Sequence, residues 1–313
     1  MMTVAYACGK VILFGEHAVV YGQPAIAVPV TQVRVTATVE AASSGEGVTI
    51  VARDLGLVHR LGDSIQDDEA HPLELTVRNT FERIGLSEGR DLLIEVSSTI
   101  PVARGMGSGA AVATAIVRAL SAHFGAGLTA SDVSELVYKT EILHHGTPSG
   151  IDNSVIAFEK PIYFLKEEGP QTFEVGRPFS LVIADTGASS STREVVGDVR
   201  DSWTAERERY DTLFADVGSV AMAAKASIAR GDMAEAGRLM NVNQALLEEI
   251  GVSSAEISAL VGAARQAGAL GAKLSGAGKG GNVIALVMPA ARQRVTAALQ
   301  SAGAVRVIAT EVV

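Results

Sequence analysis

The chain reads as an α+β protein of two domains. Its length points there, as do a passage from strand-like to helix-like segments in its first part and a strand, two-strand, helix, strand sequence after a helical block in its last part. At 313 residues it exceeds the size at which single hydrophobic cores stop growing, so two packed domains are expected. Hydrophobic residues make up 48% of the chain, which is ample for both cores.

The first block carries strands. "KVILFG", "PAIAVPV", "VRVTATVE", "GVTIVA" and "DLLIEVSS" are rich in valine and isoleucine and are punctuated by Gly, Pro and Ser. Helices then follow. "GSGAAVATAIVRALSAHFG" combines helical apolar spacing with small residues suited to close packing. "TASDVSELVYKTEILHH" opens with Thr129 three positions before Asp132, a capping box with a short acid. The last part begins with the strand "SLVIADT", continues through several helices, and closes with "AKLSG", "NVIALV", the helix-like "PAARQRVTAALQSAG" and "VRVIATEV". That order predicts a split βαβ layer with helices on one face, and a domain boundary near residue 174 gives segments 1–173 and 174–313.

Composition excludes several classes. The formal net charge is -9, and the basic residues are scattered, so no basic face for nucleic acid is expected. No uninterrupted apolar run reaches the roughly 18 residues of a membrane span, and the N-terminus lacks a signal-peptide pattern. A soluble, cytoplasmic protein without membrane or nucleic-acid partners is expected. The single cysteine, Cys8, permits no intrachain disulfide and no multi-cysteine metal site.

Three glycine-rich segments remain. In "IPVARGMGSGAAVATAIVRAL" a strand ends at Pro101, Gly105, Gly107 and Gly109 form a loop, and a helix begins at once. Unpaired backbone N–H groups and the helix dipole make such a start an anion site, with phosphate as the usual occupant. The segment also fits G-x-G-x-x-A at Gly105, Gly107 and Ala110, but a dinucleotide fold needs a strand after that helix, and "TASDVSELVYKTE" reads as another helix. In "EILHHGTPSGIDNSV", Glu141 lies late in a helix and Asp152 follows a Pro-Ser-Gly turn. This pair suits Mg²⁺ held by one carboxylate and a proton taken by the other; the plainer reading is a helix C-cap at Gly146 followed by a turn. Adjacent His144 and His145 diverge by about 100° on a helix, which disfavours zinc. "KLSGAGKGGNVIALV" places a glycine loop between two strands, where backbone can approach backbone or ligand closely.

Together "GKVILFGEHAVVYG", "PVARGMGSGAAVA" and "KLSGAGKGGNVIAL" resemble the three motifs of the GHMP kinases, in that family's order and spacing. The resemblance covers nearly the whole chain and extends to "GRLMNVNQALLEEIGVSS". It implies an N-terminal domain like ribosomal S5 domain 2, a ferredoxin-like C-terminal domain, and ATP-dependent phosphorylation of a small alcohol with Mg²⁺. "GEHAVVYG" with "HGTPSGIDN" is most similar to the members acting on mevalonate, in isoprenoid synthesis, and relatives are often homodimers.

The resemblance also implies roles. Lys10 would lie near the transferred phosphoryl group, and Asp152 would be the base, kept ionised by Lys10. Glu16, His17 and Thr192 would contact the acceptor. Pro101, Arg104, Gly105, Met106, Gly107, Ser108, Gly109 and Ala110 would wrap ATP, Glu141 and Ser108 would hold the metal, and Ser275, Gly276, Ala277, Gly278 and Gly280 would form the third loop. One departure stands out: relatives commonly carry a second serine, the metal ligand, where this chain has Gly109, so Ser108 or water would take that coordination position. Another GHMP kinase, phosphorylating phosphomevalonate, a sugar or the C3 hydroxyl of mevalonate, and a non-catalytic nucleotide-binding relative are the alternatives.

Overall fold

The computed structural model describes residues 2–63, 70–87, 89–101, 105–145, 149–188 and 191–313, without the side chains of Leu55, Ala70, His71, Leu143, His144 and His145. The chain forms two compact units. One comprises residues 1–9, 33–101 and 107–159, the other 10–32, 102–106 and 160–313. Two strands, β1 (Thr3–Phe14) and β2 (Ala25–Ala41), run through both, and they pair with each other.

In the first unit, the C-terminal half of β2 pairs antiparallel with β5 (Leu92–Ser98), from Val35 opposite Ser98 to Ala41 opposite Leu92. On its other side β5 takes β3 (Val48–Ala52) in parallel, and β4 (Leu57–Arg60) closes the edge antiparallel to β3. In this half of β2, buried residues alternate with more exposed ones, as a strand with one covered face requires. Among the described residues four helices belong to the unit: α1 (Ala70–Arg83), α2 (Ser108–His123), α3 (Ala130–His145) and α4 (Ile151–Phe158). Leu73, Val77 and Phe81, four apart, form the buried stripe of α1. The small residues of α2 let α1, α3 and α4 all pack against it.

The box expected at Thr129 and Asp132 is present: Thr129 N and Oγ1 donate to Asp132 Oδ2 at 2.9 and 2.6 Å, and Asp132 N donates to Thr129 Oγ1 at 3.2 Å. The short helix α4 is pinned at two places. Asn153 Nδ2 donates to the carbonyl (3.1 Å) and hydroxyl (2.9 Å) of Ser134 on α3, and Arg118 of α2 donates to the carbonyls of Ile156 and Ala157 at its far end.

In the second unit the first residues of β2 pair with β6 (Ile162–Leu165), which forms a hairpin with β7 (Gly169–Thr172). Next come β8 (Phe179–Asp185), helices α5 (Thr192–Ala205), α6 (Arg207–Arg230), α7 (Met233–Ile250) and α8 (Ala255–Gln266), strands β9 (Gly271–Ser275) and β10 (Asn282–Val287), α9 (Arg292–Ser301) and β11 (Arg306–Val312). The sheet order β11-β8-β10-β9 is antiparallel throughout, with Asn282 facing both Asp185 and Ser275. This is the split βαβ layer expected from the sequence. Helices α7, α8 and α9 pack on the sheet, and Val182, Ala184, Leu274, Val283 and Ala285 meet Leu260, Val261, Val295 and Leu299 in one core. Helix α6 is long and apolar enough to cross a bilayer by length and composition, but half of that stretch is buried, and Leu213, Phe214 and Val217 belong to the same core.

Each compact unit draws on several separate stretches of the sequence. The β6–β7 hairpin and the 10–32 segment group with the second unit, because strand pairing follows spatial neighbours rather than chain order.

Candidate active site

Helices α2 and α3 pack together, and so do α3 and α4. Ser108, Gly109 and Ala110 open α2, Glu141 stands in the last turns of α3, and Asp152 is in the first turn of α4. Asp152 thus stands in a helix, of which the sequence reading gave only the turn before it.

Both helix starts lack a side-chain cap. Gly107 precedes α2 and Gly150 precedes α4, whereas Ser191, Asp232 and Ser254 cap α5, α7 and α8 by accepting from the N–H three residues on. A glycine cap leaves the first N–H groups to a ligand, and the positive dipole end of such a helix suits an anion. Pro101 follows β5 as expected. Arg104 lies outside the described residues, as does the Gly146 cap, and the side chains of His144 and His145 are likewise undescribed. The segment after α2 is α3, not the strand a dinucleotide fold requires.

The second unit gathers the first and third glycine motifs. Lys10, 3% exposed in β1, donates its backbone N–H to the Met106 carbonyl at 3.1 Å. β1 ends at Phe14 and the chain turns sharply: Ala18 N–H donates to the Glu16 carbonyl at 2.7 Å around His17, whose φ is 61° and ψ −51°. This is a γ-turn with positive φ, a strained form that costs about 1–3 kcal/mol and survives only where its surroundings hold it. Tyr21 anchors the following 3-10 turn, Ala18–Tyr21, by stacking on Phe214 at 4.1 Å.

Glu16 is enclosed completely. Its Oε1 accepts from Lys273 Nζ of β9, both side chains having 0% exposure, and its Oε2 accepts from Asn243 Nδ2 of α7 at 3.4 Å. The same Lys273 Nζ donates to the Leu274 carbonyl. Burial drives the Glu16 carboxyl above its usual range and the Lys273 amine below its own, and their mutual attraction opposes both shifts. His17 Nε2 donates to the Ala277 carbonyl at 2.8 Å, and burial pushes its pKa down, so the ring is neutral near pH 7.

The third loop is fixed by backbone contacts. Ser275 Oγ donates to the Ile12 carbonyl at 2.8 Å, Lys279 N–H donates to the Val252 carbonyl at 2.7 Å, and a Cβ on Gly278 would lie 2.1 Å from that same oxygen. Around this loop, Gly105 lies beside Ser275 and Gly276, and Gly280 lies beside Ala188. Thr192 begins α5 and is exposed, and the cap of that helix is Ser191, whose Oγ accepts from Glu194 N–H at 3.3 Å.

Ser108, Glu141 and Asp152 thus belong to one unit, and Glu16, His17, Ser275 and Ala277 to the other. Sequence reasoning missed Lys273, Asn243 and the γ-turn. One signal was available: a lysine inside the otherwise apolar strand "GAKLS" needs a buried partner, and Glu16 breaks an apolar run in the same way.

The sequence matches the GHMP kinases N terminal domain over residues 73–160 and the GHMP kinases C terminal over residues 224–305. A mevalonate kinase of Thermococcus sibiricus is 36% identical over 323 residues, covering 98% of this chain and 96% of the relative. One from Thermococcus gammatolerans is 37% identical over 322 residues, covering 97% and 94%. A crystal structure of L. major mevalonate kinase in complex with R-mevalonate is similar at a TM-score of 0.85 and 27% identity, covering 100% of this chain and 95% of that one.

Proposed function

The chain belongs to the GHMP kinases and is an ATP-dependent small-molecule kinase, and from that premise we propose that it phosphorylates the C5 hydroxyl of (R)-mevalonate, giving 5-phosphomevalonate and ADP. The observation that carries this reading is the identity of about a third or more to mevalonate kinases over nearly the full length of both chains. The expected division at residue 174 belongs to the same proposal, and the two matched segments fall on either side of it. So does a cytoplasmic location, where the ATP pool lies.

Each chemical task falls to a residue of this chain. Asp152 takes the proton from the acceptor hydroxyl as its oxygen bonds to the γ-phosphorus and the bond to the ADP oxygen breaks. Lys10 offsets the negative charge that develops on the transferred group. The uncapped N-terminus of α2, from Ser108 to Ala110, receives the ATP phosphates on its free N–H groups. His17, with Glu16 behind it and Thr192 on α5, forms the acceptor side.

The donors present fit Mg²⁺. Ser108 at the start of α2 and Glu141 in the last turns of α3 offer hard oxygens, and among the described residues no group of three His, Cys, Asp or Glu makes a complete cage. That suits an ion which keeps waters and shares phosphate oxygens. When bound, Mg²⁺ would supply charge neutralisation on the phosphates; Glu141 would be its carboxylate ligand, and Ser108 or a water would take the position of the absent second serine.

The test is ADP release with ATP, Mg²⁺ and, separately, mevalonate, phosphomevalonate, homoserine and galactose. Turnover with mevalonate alone is expected. Turnover with a different acceptor leaves the kinase in place and overturns the roles of Glu16, His17 and Thr192.

A further inference from the structure

The γ-turn at Glu16–His17–Ala18 holds a histidine in a backbone conformation that side-chain-bearing residues avoid, and nothing in its own segment explains why it persists. What surrounds it does. Glu16 is clamped by Lys273 of β9 on one oxygen and Asn243 of α7 on the other, and His17 is held by the carbonyl of Ala277, four residues beyond Lys273. Lys273 in turn bonds the Leu274 carbonyl, and Leu274 N–H donates to Gln244 Oε1 at 2.8 Å, beside Asn243. The turn, the third glycine loop and α7 are thus linked through one fully buried side-chain pair.

We propose that Lys273, seconded by Asn243, is a positioning residue for the acceptor: it holds Glu16 inside the protein so that the strained turn presents His17 in one geometry. Glu16 then acts as an internal tether, and direct contact with the acceptor falls to His17. This rests on the assignment of His17 to the acceptor side made above. The pair is an expensive device for stability alone, since a buried ion pair is often matched or bettered by packed apolar residues, while removal of one partner leaves the other stranded. Its return is a fixed conformation for a turn that would otherwise relax.

The experiment is steady-state kinetics on wild type, Lys273→Met, Glu16→Gln, the Glu16→Gln/Lys273→Met double variant and Asn243→Ala, with KM measured separately for mevalonate and ATP. Lys273→Met should raise KM for mevalonate by about tenfold or more and leave KM for ATP within about twofold, a split that general loss of stability would not produce. The double variant, in which no buried charge is left stranded, should recover a large part of the affinity lost in Lys273→Met. Asn243→Ala leaves the ion pair intact and should give a smaller rise of the same kind, which keeps the test available if Lys273→Met does not fold. An unchanged KM for mevalonate in folded Lys273→Met, or equal rises for both substrates in every variant, would overturn the proposal. Absence of mevalonate turnover by wild type would instead overturn the function it rests on.

Discussion

Gly15→Ala tests the packing of the first motif most severely. Gly15 has φ +95°, and a Cβ built there would lie 2.5 Å from both the Ala25 Cα and the Pro24 carbonyl oxygen. Two costs follow. The left-handed backbone penalises a side-chain-bearing residue by about 1–2 kcal/mol. The crowding is against main chain, which cannot rotate away, so β2 or the turn must move by roughly 1 Å, an overpacking cost of about 1–3 kcal/mol. The sum is about 2–5 kcal/mol, a large part of a typical total stability. Gly22 supplies the control within the same motif: φ is +84°, but nothing lies within 4 Å of its Cβ position, so Gly22→Ala carries the first cost alone. In thermal unfolding followed by circular dichroism, Gly15→Ala should lower Tm by roughly 5–15 °C and Gly22→Ala by roughly 2–6 °C. Equal losses in the two variants would refute the close-approach argument, because backbone strain is the only cost they share.

Asp152→Asn should reduce kcat by roughly 10²–10⁴ with ATP affinity nearly unchanged, since removal of a general base acts on the transition state; near-native turnover would shift attention to Lys10. Gly109→Ser occupies open space in the first turn of α2 at an ordinary φ, so activity within about tenfold and a gain of about 0.5 kcal/mol in helix propensity are expected, and complete loss of activity would show that the glycine is needed for backbone approach. The hydrogen bonds from Thr129 and the Arg83 guanidinium hold the Asp132 carboxyl at about 2, below its ordinary 3.8. A carboxyl depressed on folding stabilises above its unfolded pKa and loses that contribution as pH falls through the folded one, so Asp132→Asn should be less stable than wild type at neutral pH and match it below about pH 2. A stability gap that persisted unchanged into strong acid would contradict this.

Much of this was legible because it is local. The Thr129–Asp132 box, the glycine-led start of α2 and the order of the last three strands each depend on neighbours in sequence, and each is found where the residues place it. The three glycine motifs announced a phosphate-handling site for the same reason. What escaped is non-local or short. β2 runs through Pro29 as one strand, although proline has no N–H to offer a ladder, so the sequence is punctuated there where the strand continues. α4, eight residues long, is too brief to show a period, and its hold on α3 through Asn153 and Ser134 cannot be read from "GIDNSV". The Glu16–Lys273 pair joins residues 257 apart, so each charge looked like a local anomaly until the fold brought them together. That pairing also changes how Glu16 is understood: a carboxylate expected to face a pocket is enclosed completely.

The proposed reaction transfers the ATP γ-phosphoryl group to the C5 hydroxyl of mevalonate. It is tested most directly by phosphorus NMR of the reaction of purified protein with ATP, Mg²⁺ and (R)-mevalonate. One new phosphomonoester signal is expected, coupled to a CH₂ and growing in step with ADP. A signal without CH₂ coupling would place the phosphate on the tertiary C3 oxygen, and no new organic phosphate from a folded, ATP-binding protein would contradict the account outright.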